Sequence, residues 1–88
     1  MNRKFRGSFN RDLKNIKNKV LQERIAQAIA AVEEAKSLQE VKNIQKLTDS
    51  ADCFRIRVGE YRIGIFLDGD LVEFVRCLHR REFYRYFG

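Results

Sequence analysis

The chain reads as an α+β domain in which N-terminal amphipathic helices pack on one face of an antiparallel β-meander. Three observations carry that reading. Apolar residues recur at helical spacing through the first 35 positions, two-residue alternation replaces that spacing after position 53, and glycine-bearing turns punctuate the second half. With 88 residues, no proline and no internal repeat, a single domain spanning 1–88 is expected, its core so small that each element buries one face and little more.

Ser8 is a candidate N-cap, and Phe9, Leu13, Ile16 and Val20 follow it at helical spacing, so a helix is expected from near Phe9. The polar cluster Lys17-Asn18-Lys19 offers a kink or a break. Beyond it Val20, Leu21, Ile25, Ala28, Ile29 and Val32 form one apolar face reaching about Ala35, giving either one long amphipathic helix or a helical hairpin. Ser37-Leu38-Gln39-Glu40 fits a capping box and predicts a short helical turn, after which Ile44 and Leu47 return to the core. Thr48-Asp49-Ser50-Ala51-Asp52 reads as a polar loop.

The remaining chain reads as three strands. Phe54-Arg55-Ile56-Arg57-Val58 and Tyr61-Arg62-Ile63-Gly64-Ile65 alternate apolar and other residues, and a third strand leads into His79. Gly59-Glu60 forms a two-residue loop that sets Val58 opposite Tyr61, Arg57 opposite Arg62, Ile56 opposite Ile63, Arg55 opposite Gly64 and Phe54 opposite Ile65. Asp68-Gly69, taken as a type I′ turn, sets Leu67 opposite Asp70, Ile65 opposite Val72, Gly64 opposite Glu73, Ile63 opposite Phe74 and Arg62 opposite Val75. One face then collects Phe54, Ile56, Val58, Tyr61, Ile63, Ile65, Val72, Phe74 and Leu78, and must meet the helices. The other holds Arg55, Arg57, Arg62, Gly64, Glu73, Val75, Cys77 and His79.

Eighteen basic residues against twelve acidic ones leave a net charge of +6, which favours RNA, DNA or an acidic protein as partner. Lysines stop at Lys46, and every later cation is an arginine, the side chain whose planar fork grips phosphate or carboxylate with paired hydrogen bonds. Setting Arg57 across from Arg62 is unfavourable unless an anion compensates. Nearby Glu73 or Glu60 could supply that anion internally; otherwise it comes from a ligand, and Gly64 beside Arg55 would leave backbone open to close approach.

His79, the only histidine, ends the third strand, and an imidazole exchanges protons near neutral pH, although a lone histidine also serves in purely structural roles. RNA cleavage needs a base for the 2′-hydroxyl, cations for the phosphorane and an acid for the leaving oxygen. Arginines supply the second, and His79, Tyr84, Glu73 and Glu82 are the available proton carriers. The closing Phe83-Tyr84-Arg85-Tyr86-Phe87 suits either base stacking or a short C-terminal helical turn in which Phe83 and Phe87 staple the sheet.

Cys53 falls level with Phe66 and Leu71, six residues from Cys77 along the third strand, or roughly 20 Å at the usual strand rise. Neither a disulfide nor a metal site is expected, and both thiols read as small apolar residues of a reducing compartment. No apolar run reaches the ~20 residues of a membrane span and the N-terminal segment has no signal-like stretch, so a cytoplasmic protein is expected.

Three stretches, Asp52-Cys53-Phe54-Arg55-Ile56-Arg57-Val58, Gly59-Glu60-Tyr61-Arg62-Ile63 and Leu78-His79-Arg80-Arg81-Glu82-Phe83-Tyr84, resemble the RelE/ParE superfamily of toxins from type II toxin-antitoxin systems. The resemblance runs from Phe9 onward and implies the microbial RNase-like RelE fold. For the RelE branch it implies cleavage of mRNA in the ribosomal A site, with no metal or other cofactor. Carried over residue by residue, it implies a catalytic set drawn from Arg62, His79, Arg80 or Arg81, and Tyr84, and an RNA-binding set of Arg55, Arg57 and Arg62, to which the arginine-aromatic C-terminal segment adds Arg85. It also implies a cognate antitoxin, a possible toxin-antitoxin heterotetramer, and the ribosome with its mRNA as target, with no membrane partner. The family opens on a strand, for which only residues 2–6 are available here, so that strand is expected to be stunted. Two other functions fit the same features: a ParE-type inhibitor of DNA gyrase, which cleaves nothing, and a non-catalytic RNA- or protein-binding module.

Overall fold

The computed structural model describes residues 1–47 and 52–87. Most of the expected polar loop, residues 48–51, lies outside the described residues. The described chain forms β1 (Asn2–Phe5), α1 (Gly7–Lys14), α2 (Lys19–Glu34), a 3₁₀ turn (Leu38–Glu40), β2 (Ile44–Lys46), β3 (Cys53–Val58), β4 (Tyr61–Asp68), β5 (Leu71–His79) and α3 (Arg80–Tyr86).

The five strands make one mixed sheet in the order β1-β5-β4-β3-β2. The meander is β3–β4–β5, and two edge strands widen it. β1 runs parallel to β5, with Asn2 level with Leu71 and Phe5 level with Phe74, while β2 runs antiparallel to β3. The opening strand is therefore present, four residues long. Its Asn-Arg-Lys sequence carries no apolar alternation because an edge strand this polar is held by backbone pairing and by one inward ring, Phe5, which lies 5.1 Å from Phe74 and 5.7 Å from Phe9.

The helical hairpin is realised, with the break at residues 15–18. Asn18 caps α2 by accepting a hydrogen bond from Leu21 N, so the polar cluster starts a helix instead of kinking one. α1 begins one residue before Ser8, and the Ser8 hydroxyl does not cap it; it donates to the Val75 carbonyl at 2.6 Å. The capping box at Ser37 and Glu40 forms as read. The two helices bury Phe9, Ile25 and Val32, and the break between them buries Ile16, in one core with Ile56, Val58, Ile63, Ile65, Val72, Phe74 and Cys77 of the sheet.

The first hairpin has the expected register throughout, from Val58 opposite Tyr61 to Phe54 opposite Ile65, and Gly59 takes φ +59°. The second differs. Its loop residues are Gly69-Asp70, with Gly69 at φ +62°, so Asp68 pairs with Leu71 and Leu67 with Val72. Glycine thus occupies the first central position in both hairpins, the place where a positive φ is required. This moves the pairing by two residues, which preserves faces, and a bulge opposite Gly64 and Ile65 adds one more, which does not. Beyond Phe74 every side chain on β5 changes sides: Gly64 faces Arg76, Ile63 faces Cys77, Arg62 faces Leu78 and Tyr61 faces His79. Cys77 and His79 consequently join the helix side, and Leu78 joins the arginine side.

The bulge is stitched to α1. Ser8 satisfies the Val75 carbonyl, and the Asp12 carboxylate accepts from Cys77 N at 2.9 Å and from Arg76 Nε and Nη2 at 2.8 and 3.1 Å. These are the polar groups that an irregular edge would otherwise bury unpaired, beyond the point where β1 ends. Asp12 is the one charged residue buried in the described chain.

Candidate nucleic-acid interface

The face of the sheet away from α1 and α2 carries Arg55 and Arg57 from β3, Arg62, Gly64 and Phe66 from β4, and Glu73, Arg76 and Leu78 from β5. α3 lies across its middle. Phe83 is completely buried, and Phe87 stacks on Phe66 at 5.4 Å and touches Phe83 at 5.0 Å. The Phe87 ring occupies the space over Gly64, where a β-carbon would stand 2.7 Å from Cδ1. Gly64 therefore admits an aromatic ring from the chain itself; it does not leave backbone open to a ligand.

The acids on this face are already committed. Glu73 binds Arg6 at 2.9 Å, which holds the Glu73 carboxyl below its ordinary value, chiefly through that hydrogen bond. Asp12 takes Arg76, and Glu60 takes Arg80 at 2.6 Å. Among the described residues no carboxylate reaches Arg55, Arg57 or Arg62. Their partners are neutral: Gln45 for Arg55, the Asn43 side chain at 3.4 Å for Arg57, and the Gly59 and Tyr61 carbonyls, each at 2.9 Å, for Arg62. Arg57 and Arg62 face each other across the β3–β4 ladder, so two like charges stand paired with no counterion among the described residues.

These side chains border a shallow depression of about 490 Å³, walled by Arg24, Asn43, Arg57, Gly59, Glu60, Arg62 and Arg80. It holds four guanidiniums against one carboxylate, and that carboxylate sits in an exposed pair of the kind worth at most ~1 kcal/mol. An incoming phosphate can displace Glu60 from Arg80 at small cost. Arg80 arrives here because its backbone N donates to Glu60 O at 2.7 Å, which fixes the start of α3 beside the β3–β4 turn.

The expected catalytic set divides. Arg62 and Arg80 share the depression. Tyr84, 53% exposed, lies one helical turn beyond Arg80 and so on the same flank of α3. Arg81 and Arg85, one turn apart, point outward, Arg85 toward Glu82 at 3.8 Å. His79 stands apart from the depression. Its ring packs edge-on against Tyr61 at 5.6 Å, and its Nδ1 accepts from Arg81 N at 3.2 Å as the cap of α3. The neutral ring therefore carries its proton on Nε2. The reason is the bulge, whose extra residue turned His79 from the arginine face to the Tyr61 side. Of the RNA-binding set, Arg57 and Arg62 stand together, Arg55 lies two residues farther along β3, and Arg85 is remote on α3.

Cys77 is buried, and burial, with Asp12 adding to it, pushes its thiol up to about 12, so it stays protonated. The pattern reading overlooked Arg24 of α2. An exposed helical arginine has no sequence signature separating it from a solvated face; only the β3–β4 turn, which places Gly59 beneath it, reveals it.

Comparison with known proteins follows the same lines. The family described as the ParE toxin of type II toxin-antitoxin system, parDE, matches residues 3–84. Toxin RelE3 of Methanocaldococcus jannaschii is 39% identical over 84 residues, 94% of each chain. The crystal structure of the RelB-RelE antitoxin-toxin complex from Methanococcus jannaschii superposes with a TM-score of 0.81 at 38% identity, covering 96% of this chain and 98% of that one. The YoeB dimer from Staphylococcus aureus shares the fold at 17% identity, with a TM-score of 0.73 over 90% and 95% of the two chains. With a family match spanning nearly the whole sequence and a relative alike along almost its full length, the chain belongs to the ParE toxin family of type II toxin-antitoxin systems.

Proposed function

We propose that this toxin is a ribosome-dependent endoribonuclease that cleaves translated mRNA. The observation that carries the reading is the arginine pair Arg57 and Arg62, which no carboxylate among the described residues reaches, with Arg80 beside it held only by an exposed pair to Glu60. A surface that accepts like-charge repulsion in the free protein is arranged for an anion that arrives later.

Cleavage of an RNA strand by its own 2′-hydroxyl forms a bond from that oxygen to phosphorus and breaks the bond to the 5′ oxygen. The attacking hydroxyl loses a proton and the leaving oxygen gains one. In this proposal Arg62 and Arg80 take the charge that grows on the phosphorane oxygens, Arg57 and Arg55 hold the strand across β3, and Tyr84 exchanges a proton from the flank above Arg80. Arg81 and Arg85 would hold RNA beyond α3. His79 serves here as the residue that caps and orients α3, since its Nδ1 is engaged by Arg81 N.

The complex of the 38% identical relative with RelB supports a cognate antitoxin for this chain, one that would neutralise the same basic surface; a heterotetramer of two such pairs belongs to the same proposal. No described helix is long and apolar enough to cross a membrane, and the cytoplasm, where ribosomes work, is the proposed site of action. The ParE description of the matched family favours a second reading, inhibition of DNA gyrase, which requires the basic surface but no proton carrier.

Induced expression distinguishes them. The nuclease reading expects growth arrest with new mRNA 5′ ends at defined codon positions on translated messages, and relief of that arrest by Arg62→Ala or Tyr84→Phe in proteins that keep their fold. Arrest with intact messages and gyrase-dependent DNA breaks would show the nuclease reading to be wrong.

A further inference from the structure

We infer that Arg24, on α2, is a phosphate-binding residue, and that a single RNA strand leaves the sheet by passing around the β3–β4 turn onto that helix. The inference rests on the RNA-binding part of the function proposed above and adds a path and a residue to it. Three independent features of the structure point to it.

Arg24 is exposed, and among the described residues no acid or hydrogen-bond acceptor engages it, although its helix also carries Glu23, Glu33 and Glu34. Its guanidinium instead lies on the turn, with Nη1 3.1 Å from where a β-carbon on Gly59 would be. The bare turn admits the arginine, and the positive φ of Gly59 disfavours any side chain that would displace it.

Two depressions meet at this point. The larger, of about 490 Å³, and a neighbour of about 260 Å³ share Arg24, Asn43 and Arg57 in their walls, and the smaller one adds Lys42. Cationic surface is thus continuous from Arg62 and Arg57 on the sheet, past the turn, to Arg24 and Lys42. A strand that stayed on the sheet would meet α3 and the Phe87 ring; the route around the turn is open.

Asn43 marks the junction. It is the only described non-glycine residue with positive φ, 63°, and it receives Arg57 twice: its carbonyl accepts from Arg57 N at 3.0 Å and its side chain from Arg57 Nη2 at 3.4 Å. An uncommon backbone conformation spent on aiming an arginine belongs to a binding site more readily than to a passive surface.

The test is anisotropy of a fluorescein-labelled, unstructured 12-nucleotide RNA against KCl concentration, with the full 88-residue chain. Arg24→Ala is expected to weaken binding by roughly three- to tenfold at low salt and to reduce the slope of log K against log salt by about 0.7, the value for one phosphate contact on a single strand. Arg24→Lys should retain the slope, since it keeps the charge, which separates a lost contact from a disturbed helix. A slope unchanged in Arg24→Ala overturns the inference, as does wild-type protein without salt-dependent RNA binding, or a variant defective only in antitoxin binding. If Arg62→Ala lowers the slope and Arg24→Ala does not, the sheet surface stands and the path fails. If Arg24→Ala lowers the slope in vitro while translated messages remain intact in cells arrested by the wild-type protein, the path stands and the nuclease reading fails.

Discussion

Replacing Arg57 by glutamine should make the toxin more stable and less able to bind RNA. Arg57 is exposed, its one side-chain hydrogen bond is the long 3.4 Å contact to Asn43, and it faces Arg62 across the ladder. At an illustrative spacing of about 7 Å, two unit charges repel by ~0.6 kcal/mol in bulk water and by ~2.4 kcal/mol at an effective dielectric of 20. With both heads solvated and salt present, about 0.5 kcal/mol is a fair figure. Against it stands the Asn43 contact, which glutamine can partly replace. The net gain, at most about 0.5 kcal/mol, corresponds to a rise in Tm of no more than roughly 2–4 °C for a domain of this size. Differential scanning calorimetry at low and high salt measures it. Salt should raise Tm of the wild type more than that of the variant, because screening removes a repulsion that only the wild type has. A cycle with Arg62→Ala isolates the pair term. Arg62 alone is the poorer probe, because its removal also abandons the Gly59 and Tyr61 carbonyls. If Arg57→Gln is less stable than wild type by 1 kcal/mol or more, Arg57 is a structural residue and the argument from an uncompensated pair collapses.

Asp12→Ala should destabilise the domain by about 2–4 kcal/mol, since it removes three hydrogen bonds and leaves the buried Cys77 N–H unpaired, while the partly exposed Arg76 can still find water. Urea unfolding measures this, and a loss under 1 kcal/mol would mean that the bulge does not need its stitch. Alkaline stability should depend on Cys77. Its thiol is raised to about 12 in the folded protein from an ordinary 9.0, so the unfolded chain releases its proton first. Stability is therefore lost as pH climbs above 9 toward 12, at up to ~1.4 kcal/mol per pH unit. Denaturation curves of wild type and Cys77→Ala compared from pH 8 to pH 10.5 should show a steeper fall in the wild type; parallel curves would contradict the buried thiol.

What could be read from the sequence was whatever local chemistry determines. The first hairpin was legible in full because Gly59-Glu60 admits one frame, and the Ser37-Glu40 box was legible because all of its parts lie within four residues. The second hairpin was misread because Asp68-Gly69 and Gly69-Asp70 are both plausible turns, and the rule that glycine comes first was visible only by analogy with the other hairpin. The bulge had no local sign at all. What holds it, Ser8 and Asp12, lies 67 and 65 residues away from the groups they bond. The short β1 could be expected only from the family pattern, because its polar residues satisfy no strand pattern of their own, and Arg24 was missed because nothing in its own helix distinguishes it.

That single extra residue in β5 decides which side chains share a face with the arginines. In a regular ladder the side chain at 79 would share a face with Arg57 and Arg62, and the natural mechanism would give histidine the proton work. With the bulge, position 79 turns to Tyr61 and becomes a helix cap. α3 then starts beside Glu60, Arg80 enters the depression, and Phe83 and Phe87 bring the helix down over Gly64. The helix that this cap begins carries Tyr84 on the flank of Arg80, so the bulge exchanges an imidazole for a phenol near the same arginines. A phenol loses its proton far less readily than an imidazole at neutral pH. On the proposed nuclease function, catalysis would rest more on arginine stabilisation of the phosphorane than on a strong base, so substitution of Arg57, Arg62 or Arg80 should lower activity more than substitution of His79.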